Sequence, residues 1–212
     1  MEKIFEDETR REKAFQVLEK SLVTTQRSQL AEFQTAHGRP ELCRLENKLA
    51  DMLTQIGFAQ VATPIIMSRG LLNKMSIDSK HPLNSQIFWL QDDKCLRPML
   101  APHLYYLLVD LLRIWERPVR IFEIGPCFRK ETRGAKHAAE FTMLNLVEMG
   151  TPESSRKERI QELGSRVAAA AAVERYRFET ETSEIYGDTM DILAGEDNLE
   201  IASAAMGPHP LD

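Results

Sequence analysis

The side chains best suited to chemistry lie in two strand-like runs, 118–128 and 140–148, and in the basic loop between them. Side chains alternate between the two faces of a strand, so residues two apart lie on one face. Arg129 and Glu131 therefore share a face if the first strand continues that far. One face of the returning strand carries an aromatic ring, an amide and two apolar side chains: Phe141, Met143, Asn145 and Val147.

This combination is typical of nucleotide recognition. A guanidinium such as that of Arg129 binds phosphate or carboxylate oxygens in a bidentate manner. The ring of Phe141 can stack on a purine, and the amide of Asn145 can both donate and accept a hydrogen bond. The loop adds side chains that could reach phosphates further out: Lys130, Arg133, Lys136 and His137. The alternative is a solvated β-arm whose Phe141 and Met143 belong to the core.

Helices are needed to hold such a hairpin in place. Apolar residues recur at three- and four-residue steps over about 7–56, which predicts two helices separated by the Gly-Arg-Pro break at 38–40. Gly57 is predicted to end the second helix. The same periodicity predicts helices over 70–76, 98–115 and 152–173.

The remaining runs favour strands. The segment 58–66, FAQVATPII, is a short β-rich run that Pro64 ends, and 86–90 with 94–97 is typical of a hairpin. Further short strands are predicted at 176–180, 184–186, 190–193 and 199–206. Long helices followed by hairpin-linked strands predict an α+β domain with a largely antiparallel sheet. The lack of a G-x-G-x-x-G or Walker sequence disfavours a doubly wound nucleotide fold.

The composition is that of an ordinary soluble domain, with 43% hydrophobic and 28% charged residues among 212. The net charge of −5 is uneven, because 181–212 holds eight acidic residues and no Lys or Arg. The N-terminus has no apolar leader and no run approaches the ~18 residues of a membrane span, so we expect a cytoplasmic protein. Cys43, Cys95 and Cys127 form no C-x-x-C pair, which makes zinc or disulfides unexpected.

Several phrases resemble one known family. LRPMLAPHLY, IFEIGPCFRKE, HAAEFTMLN, IYGDTMDI and SAAMGPHPLD are similar to the catalytic core of the pyrrolysyl-tRNA synthetases, which are class II aminoacyl-tRNA synthetases. The separate C-terminal protein found in bacteria is the most similar form. The resemblance runs from about Gly38 to Asp212. It implies an N-terminal helical extension, 1–38, and a catalytic core, 39–212, built on the class II antiparallel sheet flanked by helices.

The resemblance implies a ligase that joins pyrrolysine, or a close N-acyl-lysine analogue, to its cognate tRNA through an aminoacyl-adenylate, with ATP and Mg²⁺. Arg129 matches the catalytic arginine on the α-phosphate. Glu131 matches the acceptor for the adenine amino group, and Phe141 matches the ring that stacks on adenine. His137 matches a γ-phosphate contact, with simple solvent exposure as the alternative.

Glu200 and Ser203 match the residues that hold Mg²⁺ together with the ATP phosphates. Strict alternation sends residues three apart to opposite faces. Both can therefore face one ion only if the strand bulges near Ala202. The preceding turn, GEDNLE, is about two residues longer than is usual in the family. Asp188 and Asp191 are expected to support the hairpin that precedes this strand.

The amino-acid pocket implied by the resemblance is apolar and deep. Its residues are Met99, Leu104, Tyr105, Leu108, Asn145, Val147 and Tyr186. Asn145 would bond the side-chain amide carbonyl of the substrate, which disfavours plain lysine because polar groups would stay unpaired. Tyr186 would close over the ligand. The alternative for Leu104 and Leu108 is an ordinary core role.

The implied partners are the tRNA, the amino acid, a second copy of the chain through 57–66, and a separate N-terminal tRNA-binding protein; no membrane is expected. The family's motif 3, G-x-G-x-E-R, does not occur in the 212 residues. We therefore expect a truncated product or a second polypeptide that supplies the rest. The competing hypotheses are a binding module for ATP or partner subunits that activates no amino acid, and a purely structural remnant.

Overall fold

The computed structural model describes residues 7–36, 38–130, 138–183 and 187–205. The chain divides into two compact units, 1–44 and 45–212. The division falls inside the second helix. The N-terminal extension, 1–38, and the catalytic core, 39–212, stay predictions. No described helix is both long enough and apolar enough to cross a membrane.

The first unit is dominated by α1, Glu8–Ala36, a helix of 29 residues. Asp7 caps its N-terminus, since the Asp7 carboxylate accepts the Arg10 N–H at 2.7 Å. The predicted break follows it: Gly38 adopts φ +56° and its N–H donates to the Phe33 carbonyl at 2.9 Å. Gly38 can adopt this left-handed conformation because it has no Cβ.

The second helix, α2, covers Glu41–Gln55 and buries Leu49 and Leu53. It ends at Gly57, whose φ of +90° permits two terminal hydrogen bonds. The Gly57 N–H donates to the Thr54 carbonyl and the Phe58 N–H donates to the Leu53 carbonyl, both at 3.0 Å. This pair of bonds is a Schellman ending, which confirms the glycine stop predicted at this position.

The central sheet contains three strands in the order β1, β4, β5. They are β1, Ala59–Gln60, β4, Val119–Phe128, and β5, Glu140–Met149. β4 and β5 form an antiparallel hairpin in register throughout, and β1 runs parallel to β4. The long hairpin predicted by the sequence is therefore present.

A two-stranded antiparallel sheet lies beside it, formed by β2, Ile66–Ser68, and β3, Lys94–Leu96. Two strand predictions were wrong here. The run 58–66 is two separate strands, because β1 pairs with β4 whereas β2 pairs with β3. The run 86–90 is not a regular strand: Gln86 ends a 3-10 turn, and a bridge from Trp89 to Cys95 is the pairing found there.

The third sheet holds β6, Tyr176–Ser183, β7, Gly187–Ala194, and β8, Leu199–Ala205, in that order and all antiparallel. β6 and β7 are longer than the runs 176–180 and 190–193 predicted for them. The strand predicted at 184–186 lies outside the described residues.

Three more helices complete the second unit: α3, Arg69–Lys74, α4, Ala101–Ile114, and α5, Arg156–Ala170. α4 packs Leu100, Leu104 and Leu108 against one face of the hairpin. The other face packs against Leu53 of α2 and Leu163 of α5. The hairpin is therefore buried between two helical layers, which makes it the most constrained part of the unit.

Candidate active site

The hairpin register determines which side chains share a face. Cys127 lies opposite Phe141, Gly125 opposite Met143, and Glu123 opposite Asn145. Because directly opposed residues on an antiparallel pair point to the same side, Phe141, Met143, Asn145 and Val147 all lie on the face that meets α4. The structure therefore brings these four side chains onto one face, as the alternation predicted.

Arg129 lies one residue beyond β4 and is fixed from two sides. Its backbone N–H donates to the Ala139 carbonyl at 3.0 Å, and its Nε donates to the Pro98 carbonyl at 2.9 Å. Its guanidinium carbon is 5.3 Å from the centre of the Phe141 ring. The cation and the aromatic ring that the sequence singled out are thus direct neighbours at the open end of the hairpin.

The residues proposed for the amino-acid pocket fall into two adjoining clusters. Leu104 and Leu108 are buried in the cluster between α4 and the hairpin, and Tyr105 and Val147 are partly buried against it. Met99 packs against the neighbouring cluster, and Tyr105 touches both. Leu104 and Leu108 therefore form a buried floor, whereas Met99, Tyr105, Asn145 and Val147 keep part of their surface accessible. Tyr186 lies outside the described residues.

A buried ion pair that was not predicted from the sequence lies beneath this face. Arg97 and Glu123 have side chains 2% and 3% exposed, and their Nη1 and Oε1 atoms are 2.7 Å apart. Thr63 completes the network, because its hydroxyl donates to Glu123 Oε2 at 2.7 Å and its carbonyl accepts from Arg97 Nη1 at 3.0 Å. The sequence did hold a signal for this pair, because one charged residue interrupts each of two otherwise apolar segments, CLRPML and IFEIG.

This network holds the strand that leads to Arg129. Arg97 Nε donates to the Pro126 carbonyl at 2.7 Å, and the Phe128 N–H donates to the Arg97 carbonyl at 2.9 Å. Gly125 is required for the close approach, since a Cβ there would lie 2.3 Å from Arg97 Nη2. Arg97 is thus hydrogen-bonded to Pro126 and Phe128 and packed against Gly125, all at the strand end next to the candidate site.

Burial also controls the titrating groups around this network. His103 of α4 has a buried Nδ1 with no hydrogen-bond partner among the described residues. Burial, followed by the charge of Arg97, lowers the pKa of His103. Burial raises the pKa of the Cys127 thiol to about 11. Both groups are therefore uncharged near neutral pH, and the charges at this face come from Arg129 and the Arg97–Glu123 pair.

The second half of the site lies on the β6–β8 sheet. The pairing of β7 with β8 shifts by one residue between Ile192 and Leu193. Ile192 lies opposite Ala202, whereas Leu193 lies opposite Glu200. Ile201 is the extra residue of this bulge. The bulge places Glu200 and Ser203 on one face. A bulge near Ala202 was the condition under which both residues could face one ion. Both are exposed.

The same register places Asp191 on that face, directly opposite Ser203. From the sequence, Asp191 was expected only to support the hairpin, because nothing in the sequence shows how β7 and β8 are aligned. Glu131 and His137, the other two candidate ATP contacts, lie outside the described residues.

Comparison with known proteins decides the family. The family model described as "Phenylalanyl tRNA synthetase beta chain CLM domain" matches residues 27–202. The crystal structure of a pyrrolysyl-tRNA synthetase from Desulfitobacterium hafniense is 50% identical, covering 100% of this chain and 75% of that one, with a TM-score of 0.89. The chain belongs to that tRNA synthetase family and, within it, to the pyrrolysyl-tRNA synthetases.

Two further relatives agree. A second pyrrolysyl tRNA synthetase structure from Desulfitobacterium hafniense is 49% identical, covers 98% of this chain and 71% of that one, and has a TM-score of 0.87. The serine–tRNA ligase of Bradyrhizobium sp. (strain ORS 278) is 28% identical over 142 residues, which is 55% of this chain. The chain spans about a third of that ligase, 32% of its length. The α+β fold with antiparallel sheets expected for this pyrrolysyl-tRNA synthetase family is confirmed.

Proposed function

We propose that this chain carries the catalytic core that activates pyrrolysine, or a close N-acyl-lysine, with ATP and transfers it to the cognate tRNA. The observation that carries the proposal is the shared hairpin face. On that one face a fixed cation and an aromatic ring adjoin an amide and an apolar floor. This arrangement suits a substrate with a charged end and a long apolar arm that carries an amide.

The first step places the amino-acid carboxylate in line with the α-phosphate of ATP. Arg129 binds both anionic groups, and it meets the charge that develops as the carboxylate oxygen attacks phosphorus and pyrophosphate leaves. Its Nε bond to Pro98 keeps the guanidinium in one orientation. Phe141 provides a stacking surface for the adenine. Positioning of this kind contributes about 7–11 kcal/mol to bimolecular reactions when the geometry is right.

The amino-acid side chain would extend along the face toward α4. Asn145 would donate to the amide carbonyl of the acylated lysine, while Leu104 and Leu108 contact its apolar portion. Glu131, His137 and Tyr186 stay predictions for the adenine, the γ-phosphate and closure over the ligand. Plain lysine would bring an ammonium group into this apolar surrounding, where the carboxylate opposite Asn145, that of Glu123, is already paired with Arg97. Its binding would therefore cost several kcal/mol.

Mg²⁺ fits the β8 face. Glu200 and Ser203 offer a carboxylate and a hydroxyl oxygen on one side of the strand, which suits a hard cation that keeps waters and phosphate oxygens. No three His, Cys, Asp or Glu side chains in the described ranges could hold a metal by themselves. The ion would therefore arrive with the triphosphate, whose negative charge it would neutralise.

A homodimer completes the proposal. Ile65 and Ile66 are exposed, and within the described part of the chain β1 pairs with β4 alone. A second copy would cover the free edge of β1 together with these two isoleucines, which follow β1 in the chain. Sedimentation at tens of micromolar should give a dimer, and a clean monomer would contradict it. A separate tRNA-binding protein and a cytoplasmic location are further proposals that follow from a reaction on tRNA.

Amino-acid-dependent exchange of pyrophosphate into ATP tests the proposed function. We expect exchange with an Nε-acyl-lysine and little with lysine or serine. The alternative, a module that binds ATP without activating an amino acid, predicts nucleotide binding with no exchange for any of the three. Because Arg129 acts on transition-state charge, Arg129→Ala should reduce exchange about 100- to 1,000-fold.

A further inference from the structure

The pair of Arg97 and Glu123 is almost fully buried, and stability alone does not explain its presence. Removing two charges from water usually costs more than their attraction returns. An apolar pair of similar size therefore often stabilises a fold as well or better. A buried pair at this position indicates a geometric task, and the hydrogen bonds of Arg97 identify the part of the chain that it holds.

The Arg97 guanidinium ties its own segment to two others. Its Nη1 bonds Glu123 Oε1 of β4 at 2.7 Å and the Thr63 carbonyl, which follows β1, at 3.0 Å. Its Nε donates to the Pro126 carbonyl at 2.7 Å. Because a guanidinium is planar and rigid, donors on two of its sides fix its plane. The position of Arg97 relative to β4 is therefore fixed as well.

The backbone of Arg97 and Pro98 carries this fixed position to Arg129. The Arg97 carbonyl accepts the Phe128 N–H at 2.9 Å, which holds the end of β4. The next carbonyl, that of Pro98, accepts Arg129 Nε at 2.9 Å. Because Nε is used for this bond, Nη1 and Nη2 of Arg129 are left for a bidentate contact with an anion.

The other contacts of Arg129 do not orient its guanidinium. Its backbone N–H donates to the Ala139 carbonyl, which fixes the main chain only. The Phe141 ring, 5.3 Å from the guanidinium carbon, offers a surface rather than a directed acceptor. Among the residues that the structure describes, Pro98 alone accepts a hydrogen bond from the Arg129 side chain. The direction of the guanidinium thus depends on where the Pro98 carbonyl lies.

We propose that Arg97 and Glu123 are positioning residues for Arg129, acting through the Pro98 carbonyl. Their pairing sets the place of that carbonyl, and the carbonyl sets the direction in which Arg129 presents its two terminal nitrogens. The inference rests on the proposed function, which gives Arg129 a reaction to serve. A misplacement of about 1 Å, caused by a change away from the reacting atoms, can cost about 100-fold in rate.

A double-mutant cycle on pyrophosphate exchange tests the inference. Arg97→Lys keeps a positive charge for Glu123 but removes the Nε that donates to Pro126. If Arg97 acts through Arg129, this variant should lower kcat about 10- to 100-fold, with little change in KM for the amino acid. In the Arg129→Ala background the same substitution should cause almost no further loss, because the group that it positions is already gone.

Arg159→Lys is the matched control. Arg159 Nη2 pairs with Glu148 Oε2 at 2.7 Å, and Glu148 lies opposite Arg120, near the end of the hairpin that is remote from Arg129. This variant also weakens an arginine–glutamate pair of the hairpin, but it should leave kcat at the wild-type value. Urea denaturation of every variant selects conditions in which all of them are folded.

The outcomes separate the two proposals. An unchanged kcat in Arg97→Lys, or an equal loss in both backgrounds, would overturn the inference while the proposed function stands. No exchange by the wild type with any Nε-acyl-lysine would overturn both.

Should Arg97→Lys not fold, Thr63→Val takes its place in the cycle. It removes only the hydroxyl that donates to Glu123 Oε2 and accepts from Arg97 Nη1, so the ion pair itself stays. We expect a smaller loss of kcat that again disappears in the Arg129→Ala background. No loss, or a loss that is the same in both backgrounds, would overturn the inference.

Discussion

The β4–β5 hairpin and the β6–β8 sheet carry the two halves of the candidate site, and they are built differently. The hairpin is covered by α4 on one face and by α2 and α5 on the other. The β6–β8 sheet has one face against α5, while the opposite face carries polar side chains and most of β8 is exposed. The first half is therefore fixed before any ligand binds, and the second can change its contacts with a cation and phosphates.

The ion pairs differ in the same way. Arg97 and Glu123 under the hairpin are almost fully buried, whereas Arg175 and Glu196 at the edge of the other sheet have side chains 80% and 88% exposed. A buried pair that loses one partner leaves an uncompensated charge, but an exposed pair is compensated by water. We therefore expect the rigid hairpin to orient the substrates. The difference in rigidity can be tested in each region separately.

The largest effect is expected from breaking the buried pair. Glu123→Gln leaves the Arg97 guanidinium buried without its counter-charge, which should cost about 3–5 kcal/mol of unfolding free energy. Urea denaturation measures it. The matched change at the exposed pair, Glu196→Gln, should leave the unfolding midpoint within experimental error. Similar losses in both variants would show that the two regions are equally rigid.

A smaller effect is expected from filling the close approach at Gly125. In Gly125→Ala the new Cβ would displace Arg97 Nη2. The guanidinium cannot move aside freely because its Nε and Nη1 are hydrogen-bonded, so this overpacking should cost about 1–3 kcal/mol. Gly164→Ala crowds Ile192 and Phe178 less severely, and the gain in helix propensity of up to about 1 kcal/mol offsets part of that cost. Thermal unfolding that ranked Gly164→Ala as the more damaging change would reverse the comparison.

The smallest effect concerns acid stability at Glu148, which joins the hairpin to α5. Burial alone would raise the pKa of Glu148, but hydrogen bonds from Arg159 and Thr151, with the charges of Arg159 and Arg120, lower it below the ordinary 4.5. The ionised Glu148 carboxylate therefore contributes its full stabilisation above pH 4.5. That stabilisation is lost as the pH falls through the lower pKa that Glu148 has in the folded protein.

Comparison of Glu148→Gln with the wild type at several pH values checks this sign. The variant should be less stable at pH 7, and the difference should shrink as the solution is acidified below pH 4.5. A difference that stayed constant, or that grew in acid, would mean that Glu148 stabilises the fold through packing rather than charge.

The sequence predicted the parts of the molecule that depend on local pattern. The hairpin strands, the break at 38–40 and the glycine stop at Gly57 follow from alternation, proline chemistry and the left-handed glycine. The sequence failed where pairing partners are distant. Nothing local shows that β2 pairs with β3 while β1 pairs with β4, so 58–66 looked like one strand.

The residues of the candidate site also fall into those that a local pattern predicts and those that depend on distant pairing. Arg129, Phe141 and Asn145 could be found because one strand's alternation places them. The Arg97–Glu123 pair joins residues 26 positions apart, and the position of Asp191 opposite Ser203 depends on the alignment of β7 with β8. Both require tertiary register. The bulge that unites Glu200 and Ser203 could be stated as a condition from the sequence, although only the structure supplies it.

The selectivity of Asn145→Ala tests most directly the claim that one rigid face reads both the nucleotide and the amino acid. The measurement is kcat/KM for pyrophosphate exchange with an Nε-acyl-lysine and with an analogue of the same length whose uncharged side chain lacks the carbonyl, alongside the affinity for ATP. The account predicts an unchanged ATP affinity and a preference for the carbonyl that falls by about 1–3 kcal/mol, or roughly 5- to 150-fold. An unchanged preference, or a loss of ATP affinity equal to that of Arg129→Ala, would contradict it.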